Sequence, residues 1–188
     1  MSQCRKAKNQ KYRHQGESSE SLLDKAQILA SLSITLGQVI LDAGCGNGYM
    51  AKEFAKLAGE TAKIYALDPD TTSIDVLKSE IVGTNIEPIV GDMTKKTKLP
   101  ASSIDLIYLS TVIHGFSKRQ MEGFLKETNR LLKPGGRLAI VEIKKEETPF
   151  GPPIEKRFSP EELRQTIDFT PTQLINVGQY FYMQIFNK

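Results

Sequence analysis

The chain has 188 residues, enough to bury one substantial core without metal or disulfide staples, and its 39% hydrophobic and 25% charged residues are those of an ordinary soluble protein. No apolar run approaches the roughly 18 residues that cross a bilayer. No secretory leader is expected, and two cysteines, Cys4 and Cys45, make no disulfide framework, so a reducing cytoplasm is the expected setting.

The net charge of +3 is unevenly spread. Arg5, Lys6, Lys8, Lys11 and Arg13 precede any acid, which leaves a body of roughly −2 that is no dedicated nucleic-acid platform. Residues 1–20 are expected to be a basic, solvated tail or a lid that includes His14, and residues 21–188 one domain.

From Ser21 to Leu32, the positions Leu22, Leu23, Ala26, Leu29 and Ala30 recur at helical spacing. After Gly37 an apolar strand, near Gln38 to Asp42, runs into Gly44, Gly46 and Gly48. The next helix, near Tyr49 to Leu57, puts Ala51, Phe54, Ala55 and Ala58 on one stripe. Strand two, Lys63 to Leu67, closes in Asp68-Pro69-Asp70, with Asp70 expected to cap the helix that carries Ile74, Leu77 and Ile81. Strand three, Ile86 to Val90, ends at Gly91-Asp92.

The second half repeats this rhythm. Ile104 to Leu109 reads as a buried strand, and Ser117 with Gln120 makes a capping box for a helix carrying Met121, Phe124, Leu125, Thr128, Leu131 and Leu132. Lys133-Pro134-Gly135-Gly136 is expected to end that helix, with a fifth strand from Arg137 to Ile143. A polar connection, Lys144 to Phe158, leads to a short helix opened by Ser159-Pro160-Glu161-Glu162. Two apolar runs, Gln173 to Val177 and Tyr180 to Phe186, flank Gly178-Gln179 as a terminal hairpin.

Alternating strands and helices followed by a hairpin predict an α/β fold: a mainly parallel sheet covered on both faces, with one antiparallel strand near an edge. Ligands in such sheets bind beyond the C-terminal strand ends at the switch point. Asp42, Asp68, Asp92, Ser110 and Glu142 are thereby aimed at one crevice. The glycine loop marks a tight turn into a helix N-terminus, where bare main chain meets a nucleotide-like ligand. A dinucleotide would want glycine at Tyr49, one residue later, and Asp42 would repel its pyrophosphate. A ligand with a cationic tail suits Asp42 better. Asp68, twenty residues after Gly48, can accept both hydroxyls of a ribose, and Asp92 an adenine amino group.

On these residues the chain resembles the class I S-adenosylmethionine-dependent methyltransferases, particularly the small-molecule group similar to quinone-biosynthesis methyltransferases. The motifs are Ile40-Leu41-Asp42-Ala43-Gly44-Cys45-Gly46-Asn47-Gly48, Asp68-Pro69, Gly91-Asp92-Met93, Ile104 to Ser110, and Leu131 to Arg137; the likeness spans roughly Leu22 to Phe186. It implies a Rossmann-like seven-stranded sheet in the order 3-2-1-4-5-7-6 with strand seven antiparallel. It also implies S-adenosylmethionine as cofactor, with Gly44, Gly46 and Gly48 against its methionine part and sugar. Asp42 would serve the ammonium directly or through the loop, Asp68 the ribose, with Pro69 flanking the adenine, Asp92 and Met93 the adenine itself, and Ser110 the methionine end.

His114, just beyond the fourth strand, is expected on the substrate side as a general base; packing against the following helix is the alternative. Cys45 reads as a small buried side chain. There is no Asp/Asn-Pro-Pro-Tyr/Phe after strand four and no Pro-Cys, which argues against DNA amino or cytosine C5 methylation. No metal constellation is evident. The expected acceptor is therefore a small molecule. The alternatives are an RNA or protein methyltransferase using the basic arm, and a cofactor-binding module without chemistry.

Overall fold

A computed structural model of the chain describes residues 19–188; the basic arm and His14 lie outside the described residues. Seven strands form one sheet: β1 (Val39–Ala43), β2 (Lys63–Asp68), β3 (Ile86–Val90), β4 (Ile104–Ser110), β5 (Leu132–Ile143), β6 (Thr170–Asn176) and β7 (Phe181–Asn187). Their order is β3-β2-β1-β4-β5-β7-β6, parallel from β3 to β5, with β7 antiparallel to both neighbours. This is the order that the resemblance implies.

The chain reaches β1 through α1 (Lys25–Leu32), and α2 (Tyr49–Ala58) and α3 (Thr71–Glu80) follow β1 and β2. These helices share one apolar core with the sheet face that carries Ile40, Leu106, Tyr108 and Val141. The opposite face, with Leu41, Ile107, Leu109 and Ile140, packs on α4 (Lys118–Leu131) and α5 (Pro160–Thr166). Both faces are covered, so the parallel strands read as nearly continuous apolar runs. Among the described residues no helix is long and apolar enough to cross a membrane.

Both capping boxes form, Ser117 with Gln120 and Ser159 with Glu162, and Asp70 caps α3 by accepting from the Thr72 amide. Two boundaries differ most from those expected. The first helix begins at Lys25 and not at Ser21, because Asp24 accepts from the Gln27 amide at 2.9 Å and Ser19–Leu22 forms a separate 3-10 turn. The fifth strand begins at Leu132 and not at Arg137. Leu132 pairs with Ile104, the register shifts before Leu106, and the Gly136 carbonyl accepts from the Lys188 amide while the Gly135 amide donates to the Lys188 carbonyl, so Pro134-Gly135-Gly136 forms an irregular strand entry.

Candidate functional site

The first strand stops at the glycine loop because its backbone turns left-handed: φ is +75° at Gly44, +52° at Gly46 and +77° at Gly48. The three glycines serve different purposes. A Cβ on Gly44 would come within 2.8 Å of Val112, and one on Gly48 within 2.4 Å of Leu77, so both are demanded by packing. A Cβ on Gly46 would meet nothing within 4 Å. Gly46 is thus the glycine whose bare backbone faces open space.

Beside that loop is a pocket whose walls come from α1 (Leu23, just ahead of it, then Lys25 and Ile28), the β1 loop (Asp42, Gly44, Cys45, Gly46), the start of α2 (Tyr49, Met50) and the end of β4 (Tyr108, Ser110, Thr111). Asp42 is only 3% exposed. Lys25 shares the pocket with it; its ammonium lies 5.1 Å from the centre of the Tyr49 ring and 3.6 Å from Glu53. One wall thus offers a carboxylate and another an ammonium. Thr111, with φ of +55°, is one of the few non-glycine residues in the left-handed region, and it turns the chain out of β4 while its amide donates to Val141.

Burial pushes the Cys45 thiol far above its ordinary value, and the charges of Asp42 and Asp68 push the same way. Cys45 is therefore no thiolate nucleophile. Burial also raises the Tyr108 phenol, with Ser110 opposing and Asp42 adding to the rise, so Tyr108 keeps its proton.

The other expected residues lie along the sheet edge. Asp68 accepts from the Gly46 amide at 2.9 Å and from the Asp70 amide at 2.8 Å, tying the glycine loop to the end of β2 ahead of Pro69. Asp92 accepts from the Thr94 amide at 2.9 Å and its hydroxyl at 2.6 Å, and pairs with Lys95 at 3.1 Å. Burial opposes ionisation of Asp92, yet these Thr94 and Lys95 contacts hold its carboxyl below the ordinary range. Met93 is buried among the α4-side core residues. Gly48, Asp68, Pro69, Asp92 and Met93 are outside the pocket wall, whereas Asp42, Gly44, Gly46 and Ser110 are in it.

His114 is not in that wall either. It sits in a 3-10 turn, Ile113–Gly115, and its Nδ1 lies 3.0 and 2.9 Å from the two carboxylate oxygens of Glu142. Strand alternation places Glu142 on the α4/α5 face, opposite the face of Asp42 and Ser110. Sequence reading gave Glu142 a place at the crevice without this partner. It passed over Lys25, Tyr49 and Thr111, whose only signal was proximity to a strand or helix end.

Taken along the edge, the groups run Asp92 (β3), Asp68 (β2), the glycine loop with Asp42 (β1), Ser110 (β4) and Glu142 with His114 (β5). Three strand spacings of about 4.8 Å separate β3 from β4, or about 14 Å, the span of an extended nucleoside with an amino-acid tail.

Residues 40–136 match a family described as a methyltransferase domain. The chain is similar to ubiquinone/menaquinone biosynthesis C-methyltransferases: 27% identical over 125 residues to that of Laribacter hongkongensis (66% of this chain, 50% of the relative), and 28% over 122 residues to that of Paraburkholderia phymatum (64% and 49%). The matched region thus spans about half the length of these curated relatives. Among solved structures it is similar to a SAM dependent methyltransferase from Aquifex aeolicus, with a TM-score of 0.81, 28% identity, and coverage of 92% of this chain and 93% of that one. It shares its fold with a 1,6-didemethyltoxoflavin-N1-methyltransferase from Burkholderia thailandensis solved with S-adenosylhomocysteine, at a TM-score of 0.66, 20% identity, and coverage of 87% and 75%. The strand order, the glycine loop and these likenesses converge: the chain belongs to the methyltransferase domain family, as a class I S-adenosylmethionine-dependent member.

Proposed function

We propose that the protein transfers a methyl group from S-adenosylmethionine to a small molecule. The observation that carries this reading is the pairing of Asp42 and Lys25 in one pocket beside the open backbone of Gly46. A methionine tail is a zwitterion, and such a pocket answers both its charges: Asp42 the ammonium, Lys25 the carboxylate. Asp68 is then left one strand away for the ribose hydroxyls. Each of its oxygens already accepts one backbone amide and retains a second lone pair. The turn of Asp92 and Met93 lies one strand further, at the adenine end, and Ser110 borders the methionine end.

When bound, the cofactor supplies a methyl on a positively charged sulfur, which keeps the electron pair of the broken carbon–sulfur bond. The protein's main task is orientation, since holding nucleophile and methyl in line at about 3–3.5 Å removes much of the barrier. The small-molecule acceptor is supported by the likeness to quinone-biosynthesis enzymes and by a body without a basic platform. His114 is the candidate general base. The absence of an apolar spanning helix among the described residues agrees with a cytoplasmic setting.

Calorimetry with S-adenosylhomocysteine tests the cofactor assignment. Binding is expected, with melting raised by an amount equivalent to about 2.7 kcal/mol at a hundred times Kd. A folded protein that binds none at millimolar ligand would refute it. RNA affinity that falls steeply with salt and vanishes on removing residues 1–15 would favour the nucleic-acid reading instead.

A further inference from the structure

We infer that Glu142 is a positioning residue that holds His114 as a one-sided base beside the methyl donor, which suits the site to an acceptor that must lose a proton. The inference rests on the methyltransferase reading above and extends it to a second residue and to the chemistry of the acceptor.

Glu142 is fully buried. Its Oε1 accepts from the Ile143 amide at 2.7 Å, and Oε2 faces the His114 main-chain amide at 3.4 Å. The remaining approach to the carboxylate is filled by His114 Nδ1 at 2.9–3.0 Å. A carboxylate can only accept, so this contact requires the proton of the imidazole on Nδ1 and leaves the lone pair on Nε2. Nε2 makes no hydrogen bond among the described residues, and the ring keeps 16% of its exposure. Turned the other way, with Nδ1 bare, the ring would leave a buried carboxylate facing a lone pair, at high cost.

The pair also has a definite address. Ser110 of β4 pairs with Val141 of β5, so Glu142 is the next residue along the neighbouring strand. The donor is assigned the edge from β3 to β4; Glu142 follows at the end of β5 on the α4/α5 face, and His114 sits in the turn just past the end of β4, between the two. Thr111 directs the chain there by leaving β4 with φ of +55° and bonding to Val141. Across the sheet, Glu142 lies opposite Tyr182, whose phenol donates to the Phe158 carbonyl at 2.7 Å. Burial and the Glu142 charge both raise that phenol, so Tyr182 does not compete as the base.

The step balances simply. An acceptor hydroxyl, or an enolisable carbon, gives its proton to Nε2 and uses the electron pair so released to take the methyl. The imidazolium formed is neutralised by Glu142, and the proton then passes to water. A neutral amine or a thiolate attacks without prior proton loss and would gain little from such a base.

The chain has two histidines, His14 and His114, so nitrogen NMR of histidine-labelled protein resolves both rings, with His14→Gln assigning them. In its neutral form the ring of His114 is expected to carry its proton on Nδ1 and leave Nε2 bare. In Glu142→Gln, the amide oxygen would stay on the Ile143 N–H, 3.0 Å from Nδ1, and the NH2 would take the place of Oε2 at 2.9 Å, so the Nδ1–H form loses one acceptor and the Nε2–H form should gain population. Movement of the Nε2 resonance by an added acceptor is the readout that a merely structural contact would not give. A neutral wild-type ring protonated on Nε2 would overturn the inference, as would an unchanged tautomer ratio in folded Glu142→Gln. Should that variant fail to fold, Glu142→Asp serves in its place: it should keep the Nδ1–H tautomer, and Nε2–H in it would count against the pairing. With saturating S-adenosylhomocysteine, phenols or 1,3-dicarbonyl compounds should move the Nε2 resonance. No movement with any of them would overturn the acceptor class. Loss of S-adenosylhomocysteine binding in the same samples would instead refute the underlying cofactor reading, which keeps the two failures apart.

Discussion

The amide of Gly46 donates to the carboxylate of Asp68 across 2.9 Å, joining the loop after the first strand to the end of the second. Two residues expected to touch different parts of one ligand therefore touch each other. Gly46 makes this bond at φ of +52°, a left-handed conformation that glycine adopts without steric cost. The contact is made within the chain itself, and a loop held in this way lowers the ordering cost of binding.

Asp68→Ala should weaken S-adenosylhomocysteine binding by about 1–3 kcal/mol, because it removes hydroxyl partners and releases the Gly46 amide together. Asp68→Asn retains an oxygen for Gly46 and should lose less. Calorimetry on the two variants checks the order, and an Asp68→Ala protein with wild-type affinity would take Asp68 out of the site.

Gly48→Ala and Gly46→Ala should fail in opposite ways. At Gly48 the new methyl would press on Leu77, a fully buried side chain, in addition to the left-handed strain at φ of +77°, and urea unfolding should show a loss of about 2–5 kcal/mol. At Gly46 there is room, so the stability loss should be limited to the backbone strain of about 1–2 kcal/mol. Binding of S-adenosylhomocysteine should suffer more there, since the methyl would occupy the open side of the loop.

Acid sensitivity should be traceable in part to Glu127, which is 3% exposed. Burial alone would raise its carboxyl, but Arg130, together with the amide and hydroxyl of Thr97, holds it below its ordinary value of 4.5. A carboxyl depressed on folding stabilises the protein above the unfolded value, and that contribution fades as pH falls through the folded one. Glu127→Gln should therefore be less stable near neutrality and show a flatter decline of unfolding free energy below about pH 4.5. A variant whose stability falls as steeply as wild type through that range would contradict this account.

Cys45 should resist thiol reagents while the protein is folded. In a Cys4→Ser variant, labelling at pH 8 is expected to be slower by orders of magnitude than in urea, because burial and the charges of Asp42 and Asp68 keep the thiol protonated. Rapid labelling of the native protein would mean that the pocket wall opens readily.

Much of the fold was legible because it depends on local chemistry. The glycine loop, the cap at Asp70, the boxes at Ser117 and Ser159, and the apolar strand runs all declare themselves within a few residues. The resemblance carried by those motifs supplied the strand order. Asp42, Gly44, Gly46 and Ser110 reached one pocket for the same reason: each sits at a strand end, and parallel strands end on one side.

What sequence could not decide was which side chains meet across that edge. His114 and Glu142 are 28 residues apart, and their contact depends on the β4–β5 register and on the turn at Thr111. Lys25 enters the pocket only because α1 packs beside Tyr49. Asp92 turns back upon Thr94 through a local bond that competes with outward reach. By itself the sequence determined the elements and the chemical kind of ligand, since propensity and spacing act over short distances. The tertiary structure decided the partners of each charge, because register and chain direction are set by the packing of the whole sheet.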